Sequence, residues 1–571
     1  MENNSQKGHP KGLWYLFGTE MWERFGYYLM LGIFSLYMID GWNNGGMGFD
    51  ADKKSDIYGT YLGLVYLTPF IGGLLADRIF GYRRSIIMGG LMMSAGYFIL
   101  SIHNETAFYV ALMLIILGNG FFKPNISTLV GNLYSGDDMK DKKDAGYNIF
   151  YMGINIGAFI CNFVAAYMRI NYGWGHAFAA AGIGMLVGVV IFILGTKHIK
   201  HVDVVKPVQE GDMSTVRIFS MTVLPMFIFG ILGYMIPGNF LGSDTNDAFI
   251  IGCLPVIAFF IYLAFKSEAK ESRAIKALLA VFACVILFFA IFHQNGDALT
   301  VWAEDHTDRE MSEGVAKVAG SVGMAQVVVN NDIVSSSDTQ FKATIDSMRK
   351  VEKEMPKVTK AELKAKADYS AEISQLESSR KYFATLPKDK IPAKGKDMKL
   401  YSTELYQSIN PFWVVTLTPI VVGFFGWMRR RKREPSTPTK IAIGLVITAL
   451  SALVMVGAVF ATNGMSGKAG SLWLIASYGV ITIGELCLSP MGLSLVSKLS
   501  PPRITALMMG GFFLAISVGN KLSGMLSSLW EEIPEKQNFF YLNFGLVMAA
   551  AVILFLMLRW LNGVMRENNV Q

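Results

Sequence analysis

The chain has 571 residues, of which 52% are hydrophobic and only 17% charged, against about 25% charged in ordinary soluble domains. Its formal charge of +7 does not describe a nucleic-acid surface, because the basic residues stand in short bursts between long apolar runs. This composition excludes an ordinary soluble enzyme and reads as an all-α integral membrane protein, in which each apolar run must close its own backbone hydrogen bonds.

The first run, near 13–39, follows a polar stretch without a small-residue cleavage site, so no removable signal peptide is expected. It carries Glu20-Met-Trp-Glu23-Arg24-Phe25-Gly-Tyr27-Tyr28. Ionisable groups at the centre of an apolar helix cost about 3 kcal/mol each on insertion scales. Glu20 and Arg24 are four residues apart and share a helix face. A packing cluster of self-neutralising charges is the bland reading. The functional one is a polar pathway, since a buried carboxylate beside an Arg can trade a proton as its partners move.

Runs near 55–77 and 84–103 are joined by Gly72-Gly-Leu-Leu-Ala-Asp77-Arg78-Ile-Phe-Gly81-Tyr-Arg83-Arg84, a short basic turn between helix ends. It reads as a structural latch of the major facilitator type rather than a solute contact. The fourth run, 106–130, holds Lys123 just before Pro124, with about seven residues between it and the polar stretch from Asn132. Snorkelling to the interface is hard from there, so Lys123 reads as an inward-facing cation. Runs at 145–168, 175–196, 217–237, 248–265 and 275–302 follow.

Residues 304–407 are too hydrophilic to cross; within them, 340–385 read as solvated helices, and Pro387, Pro392 and Gly395 as a linker back to the membrane. The last five runs are 409–428, 440–461, 470–498, 504–529 and 538–561, fourteen in all. With a cytoplasmic N-terminus, the inner segments carry 26 Lys and Arg and the short outer loops five: Lys53, Lys54, Arg169, Lys468 and Lys536. That asymmetry fixes the orientation and puts 304–407 outside, because long segments translocate regardless of charge.

An internal repeat divides the chain. Gly118-Asn-Gly-Phe-Phe-Lys-Pro-Asn125 matches Gly484-Glu-Leu-Cys-Leu-Ser-Pro-Met491, pairing Asn119 with Glu485 and Lys123 with Ser489. Parallel repeats of this kind build two six-helix halves with a solute site between them. The expected organisation is a bundle over 1–200, a linker and extra transmembrane hairpin over 201–270, the next bundle helix over 271–303, a soluble insertion over 304–407, and the rest of the second bundle over 408–571. Lys123 in one half and Glu485 in the other could hold the two ends of a zwitterion. Tyr27, Tyr28, Tyr61, Tyr66 and Tyr151 add hydroxyls, though any one of them could be ordinary core.

Together these residues resemble the proton-dependent oligopeptide transporter family. The matching pieces are the Glu20–Tyr28 motif, the Gly72–Arg84 loop, Gly118–Asn125, Phe150-Tyr-Met-Gly-Ile-Asn155-Ile-Gly-Ala-Phe, Gln407-Ser-Ile-Asn410-Pro and Gly484-Glu485-Leu-x-x-Ser489-Pro. The resemblance implies a proton-coupled symporter of di- and tripeptides. Glu20, Glu23, Arg24 and Lys123 would form the proton-linked cluster, with His293 beside it. Tyr28, Tyr66, Tyr151, Asn155, Gln294, Asn410 and Ser489 would line the peptide site. Glu485 would meet the peptide amine and Lys123 its carboxylate. The chain departs from the pattern at three places: Leu31 where many members carry Arg, Phe292-His293-Gln294 where members often show Phe-Glu-Gln, and Phe512 where Trp is frequent.

Cys161, Cys253, Cys284 and Cys487 share no metal-ligand spacing, so no disulfide, metal or cofactor is expected beyond the coupling proton. The expected partners are short peptides, protons and the lipid bilayer, with no nucleic acid, and the chain is expected to work as a monomer in the inner membrane. A same-fold transporter of another solute and a receptor or enzyme built on the outer insertion are the other readings. No nucleophile–base pair, HExxH motif or phosphate-cradling loop supports an enzyme or ATP drive. The insertion is expected to be dispensable for the transport step.

Overall fold

The computed structural model describes residues 8–134, 143–203, 215–356, 359–501 and 504–568. The first bundle comprises α1 (Lys11–Ile39), α2 (Ala51–Leu75), α3 (Tyr82–Leu100), α4 (Glu105–Leu133), α5 (Lys143–Tyr172) and α6 (Trp174–Ile199). Their inward faces close one apolar cluster running from Leu13 to Val202. A helix that begins as α7 (Thr215–Ile218) continues through a π-turn into α8 (Leu224–Tyr234) and packs on α9 (Asp244–Lys266) as a hairpin.

α10 (Ala269–Phe292) ends in a 3-10 turn, His293–Gly296, before α11 (Ala298–Asp305). The run expected to be one straight span at 275–302 is therefore broken, with Asp297 at φ −126° and ψ −92°. The insertion follows, with β1 (Thr307–Asp308), α12 (Glu313–Ser321), β2 (Gln326–Val329), α13 (Asp338–Glu354), α14 (Lys360–Ala384) and β3 (Asp397–Leu400). The second bundle resumes with α15 (Ile409–Arg430), α16 (Thr437–Ala461), β4 (Ala469–Gly470), α17 (Ser471–Leu499), α18 (Thr505–Glu532) and α19 (Lys536–Glu567).

Each of the fourteen predicted runs is mostly helix. Among the described residues, eleven helices are long and apolar enough to cross a membrane. α1, α2 and α3 are not among them; α1 carries the Glu20–Arg24 charges and α2 opens on Asp52, Lys53, Lys54 and Asp56. Small residues let these helices touch, as expected where lipid supplies no hydrophobic drive between them. A Cβ on Gly72 of α2 would lie 2.0 Å from the carbonyl oxygen of Gly120 on α4.

The insertion has its own apolar core, including Val328, Ile373, Leu376 and Leu400. β2 and β3 pair antiparallel, Gln326 opposite Leu400, and β1 runs parallel to β4, Thr307 opposite Ala469. The expected linker at 387–395 is instead part of this unit: Gly395, at φ +80°, donates its N–H to Asn330 at 2.7 Å and leads into β3. A four-residue strand leaves too short an alternation to read. The solvated helices expected within 340–385 are present as α13 and α14.

The halves meet most closely at the end that bears the insertion. A Cβ on Gly59 of α2 would lie 2.9 Å from Cα of Gly524 on α18. Ser517 Oγ donates to Gly63 O at 2.6 Å, Ser35 Oγ to Gly296 O at 2.8 Å, and Asn162 Nδ2 to Ser408 Oγ at 3.1 Å. Three ion pairs cross the same end. They are Lys54 with Asp297, Arg169 with Glu404, and Lys521 with Asp56 at 2.6 Å.

Within the second bundle, Gln294 and Asn543 exchange side-chain amide hydrogen bonds, Asn543 Nδ2 to Gln294 Oε1 at 2.8 Å and the reverse at 3.3 Å. Both are 2% exposed. Asn543→Leu leaves the Gln294 amide buried and unpaired, a cost of about 1–3 kcal/mol. Thermal unfolding of the purified protein in detergent should show a clear drop in Tm. An unchanged Tm would mean that water or another group satisfies Gln294.

Candidate functional site

The α1 charges are buried inside the bundle, where they pair with one another instead of facing lipid. Arg24 binds Glu23 through two N–H groups, one of them at 2.5 Å, and its Nε lies 3.4 Å from Glu20 Oε1. All three are buried, Glu23 completely. The Arg24 guanidinium also sits 4.9 Å from the Tyr27 ring centroid and 5.9 Å from that of Tyr28, a cation–π arrangement. Glu20 keeps one buried oxygen, Oε2, with no hydrogen-bond partner. An ionised carboxylate so placed is left with part of its buried charge unmatched.

Lys123 enters from α4, half-buried, with its Nζ 4.1 Å from the Tyr66 ring centroid. It is within electrostatic reach of Glu20, Glu23 and Arg24. Tyr66 also meets His293 of the second half, ring centroids 5.7 Å apart at an interplanar angle of 64°. Tyr66 thus stands between a cation of one half and a titratable ring of the other. Lys123 and His293 are within electrostatic reach of each other.

Glu485 faces the same space from α17. It accepts a hydrogen bond from Asn410 Nδ2 at 3.1 Å, and Asn410 also donates to Thr482 Oγ1 at 2.9 Å. Glu485 acts electrostatically on Tyr28 and Tyr66, as Arg24 does. Ser489 follows one turn later on the same helix face, half-buried. Tyr151 is 51% exposed and within electrostatic reach of Glu20. Asn155, one turn on, donates to the Tyr151 carbonyl at 2.9 Å.

The structure therefore gathers Glu20, Glu23, Arg24, Tyr28, Tyr66, Lys123 and Tyr151 of the first half with His293, Asn410 and Glu485 of the second. It does not bring Gln294 to this cleft. The 3-10 turn after α10 rotates that side chain away from His293 and toward Asn543 of α19. Phe512 lies in the second core, its ring centroid 5.6 Å from that of Phe282.

The sequence reading missed the ion pairs that close the insertion end. Lys54 and Arg169, read as loop charges, sit on helices, and Lys54 is only 3% exposed. Lys521 is wholly buried in α18 and bonds Asp56, Thr60 and Thr245 together. Its signal was available: a lysine inside an apolar run, the same feature that singled out Lys123.

Two helical bundles around a charged central cleft define a membrane transporter of the major facilitator type. The chain belongs to the POT family, whose model matches residues 83–319 and 369–543. It is 30% identical over 556 residues to the uncharacterized transporter YclF of Bacillus subtilis (strain 168), covering 96% of this chain and 94% of that one. It is also 30% identical over 542 residues to a di-/tripeptide transporter of Lactococcus lactis subsp. lactis (strain IL1403), covering 92% and 91%. Among solved structures, the peptide transporter POT in complex with alafosfalin superposes with a TM-score of 0.73 at 27% identity, over 98% of this chain and 97% of that one.

Proposed function

We propose that this chain carries di- and tripeptides into the cytoplasm in symport with protons, by alternating access of one central site. The observation that carries the proposal is the pairing of Lys123 and Glu485, opposite charges from the two halves, around Tyr28 and Tyr66. A peptide in a low-dielectric cleft needs both termini matched, since an unpaired buried charge costs several kcal/mol. Its amine meets Glu485 and Asn410. Its carboxylate meets Lys123. Tyr151, Asn155 and Ser489 complete the lining.

Glu20 and Glu23 take the coupling proton, and the orphan oxygen of Glu20 supports that role. Protonation weakens their hold on Arg24 and frees the half-buried Lys123 for the peptide. His293 stands where the family pattern has a carboxylate, and Tyr66 links it to Lys123.

The protein lies in the inner membrane with both termini cytoplasmic and the insertion outside, as the charge bias of the loops supports. The closed end is then the extracytoplasmic one. The chain acts as a monomer and needs no cofactor. Counterflow of labelled dialanine into liposomes preloaded with unlabelled dialanine tests the substrate class. The absence of counterflow, with exchange of another solute intact, would reassign the substrate.

A further inference from the structure

Outside the closed gate, a second cavity of about 210 Å³ opens between the halves. Its volume is on the order of seven waters' share of the liquid, room for a small dipeptide. Lys54, Asp305, Lys381, Ser527, Trp530 and Glu531 line it. The first bundle supplies Lys54, the second Ser527, Trp530 and Glu531, and the insertion Lys381. Charges of both signs therefore face one small space.

Three observations mark it as a built site rather than a packing gap. Ser527 is 3% exposed, and its Oγ has no hydrogen-bond partner. Lys381 Nζ lies 2.6 Å from Asp305 Oδ1 at the mouth. Burial alone would lower the Lys381 ammonium, but the carboxylates of Asp305 and Glu304 outweigh it and hold the group above its ordinary value, so Lys381 stays cationic at neutral pH. Lys54 lines the cavity and carries the gate pair with Asp297, which is itself wholly buried behind it and keeps a second oxygen with no partner.

We propose that this vestibule is a first binding site for short zwitterionic peptides, in which the peptide carboxylate takes Lys54 from Asp297 and Lys381 from Asp305, and the amine takes the released Asp305 or Glu531. The inference rests on the peptide reading of the central site. Breaking a buried ion pair is unfavourable by several kcal/mol when nothing replaces the lost partner. A peptide carboxylate replaces it. Arrival of substrate therefore lowers the barrier to opening the outer gate, and an uncharged solute of the same size gains no such entry. The insertion supplies one of the charges, so it tunes capture of peptide and leaves the central site unchanged.

The test uses the full chain in detergent with Ala51→Cys, a residue on the cavity wall; the four native cysteines are buried. Dialanine should slow maleimide labelling of this cysteine severalfold, and should still do so in a Glu485→Gln background, where central amine capture is gone. N-acetyl-dialanine amide should give no protection, and Lys381→Gln should abolish protection by dialanine. Protection that vanishes with Glu485→Gln, or equal protection by the blocked peptide, would overturn the vestibule, as would no protection in a protein that still counterflows dialanine. Loss of counterflow itself would instead strike the peptide reading.

Discussion

Glu20→Gln and Glu23→Gln each remove gradient-driven accumulation of dialanine while leaving exchange across the membrane measurable. The two carboxylates share Arg24 but not equally: Glu23 takes its closest hydrogen bonds, and Glu20 stands back at 3.4 Å with one oxygen free. A glutamine at either position keeps the size and a hydrogen-bond acceptor but cannot bind and release a proton. Peptide can still bind and the halves can still rock, so exchange survives. The measurement is labelled uptake into proteoliposomes with an acid exterior, against the same vesicles with a protonophore. In both variants the internal concentration should rise no higher than the external one. Full accumulation in both would remove these residues from coupling and leave them as packing charges that neutralise Arg24.

Glu485→Ala should separate peptides by their amino terminus. The carboxylate is positioned by Asn410, which Thr482 in turn holds, so it is aimed rather than merely present. Loss of a partner for a buried ammonium costs about 3 kcal/mol or more, which corresponds to roughly a hundredfold weaker binding. Free-amine dialanine should weaken by that order, and N-acetylated dialanine hardly at all. Lys123→Ala should discriminate in the same way between the C-terminal carboxylate and its amide. Competition against labelled peptide gives both numbers. Equal losses for free and blocked amino termini would leave Glu485 as a gate or a structural carboxylate.

The parts of this molecule that the sequence made legible are those where chemistry and periodicity disagree. Charges at Glu20, Glu23, Arg24, Lys123 and Glu485 stand inside apolar runs, and such placement has few physical explanations. The structure brings all five to one region. Gln294 was expected in the cleft because the family resemblance put it there, and in this structure it bonds Asn543 instead. Only the turn that breaks the helix at 293–296 decides which way it faces. The gate pairs were hidden for a different reason. Lys54 and Arg169 lie at helix ends, where the sequence alone cannot tell a solvated charge from one buried against the other half. The small strands β1 to β4 were out of reach, since two to four residues carry no alternation.

The most direct measurement is uptake of labelled dialanine by the purified protein in liposomes, with and without an inward proton gradient. Dialanine should accumulate above its external concentration only when the outside is acid, fall back to equality when a protonophore is added, and lose its label to excess unlabelled dialanine. Equilibration at the same rate and to the same level with and without the gradient would contradict proton-coupled peptide import by this chain.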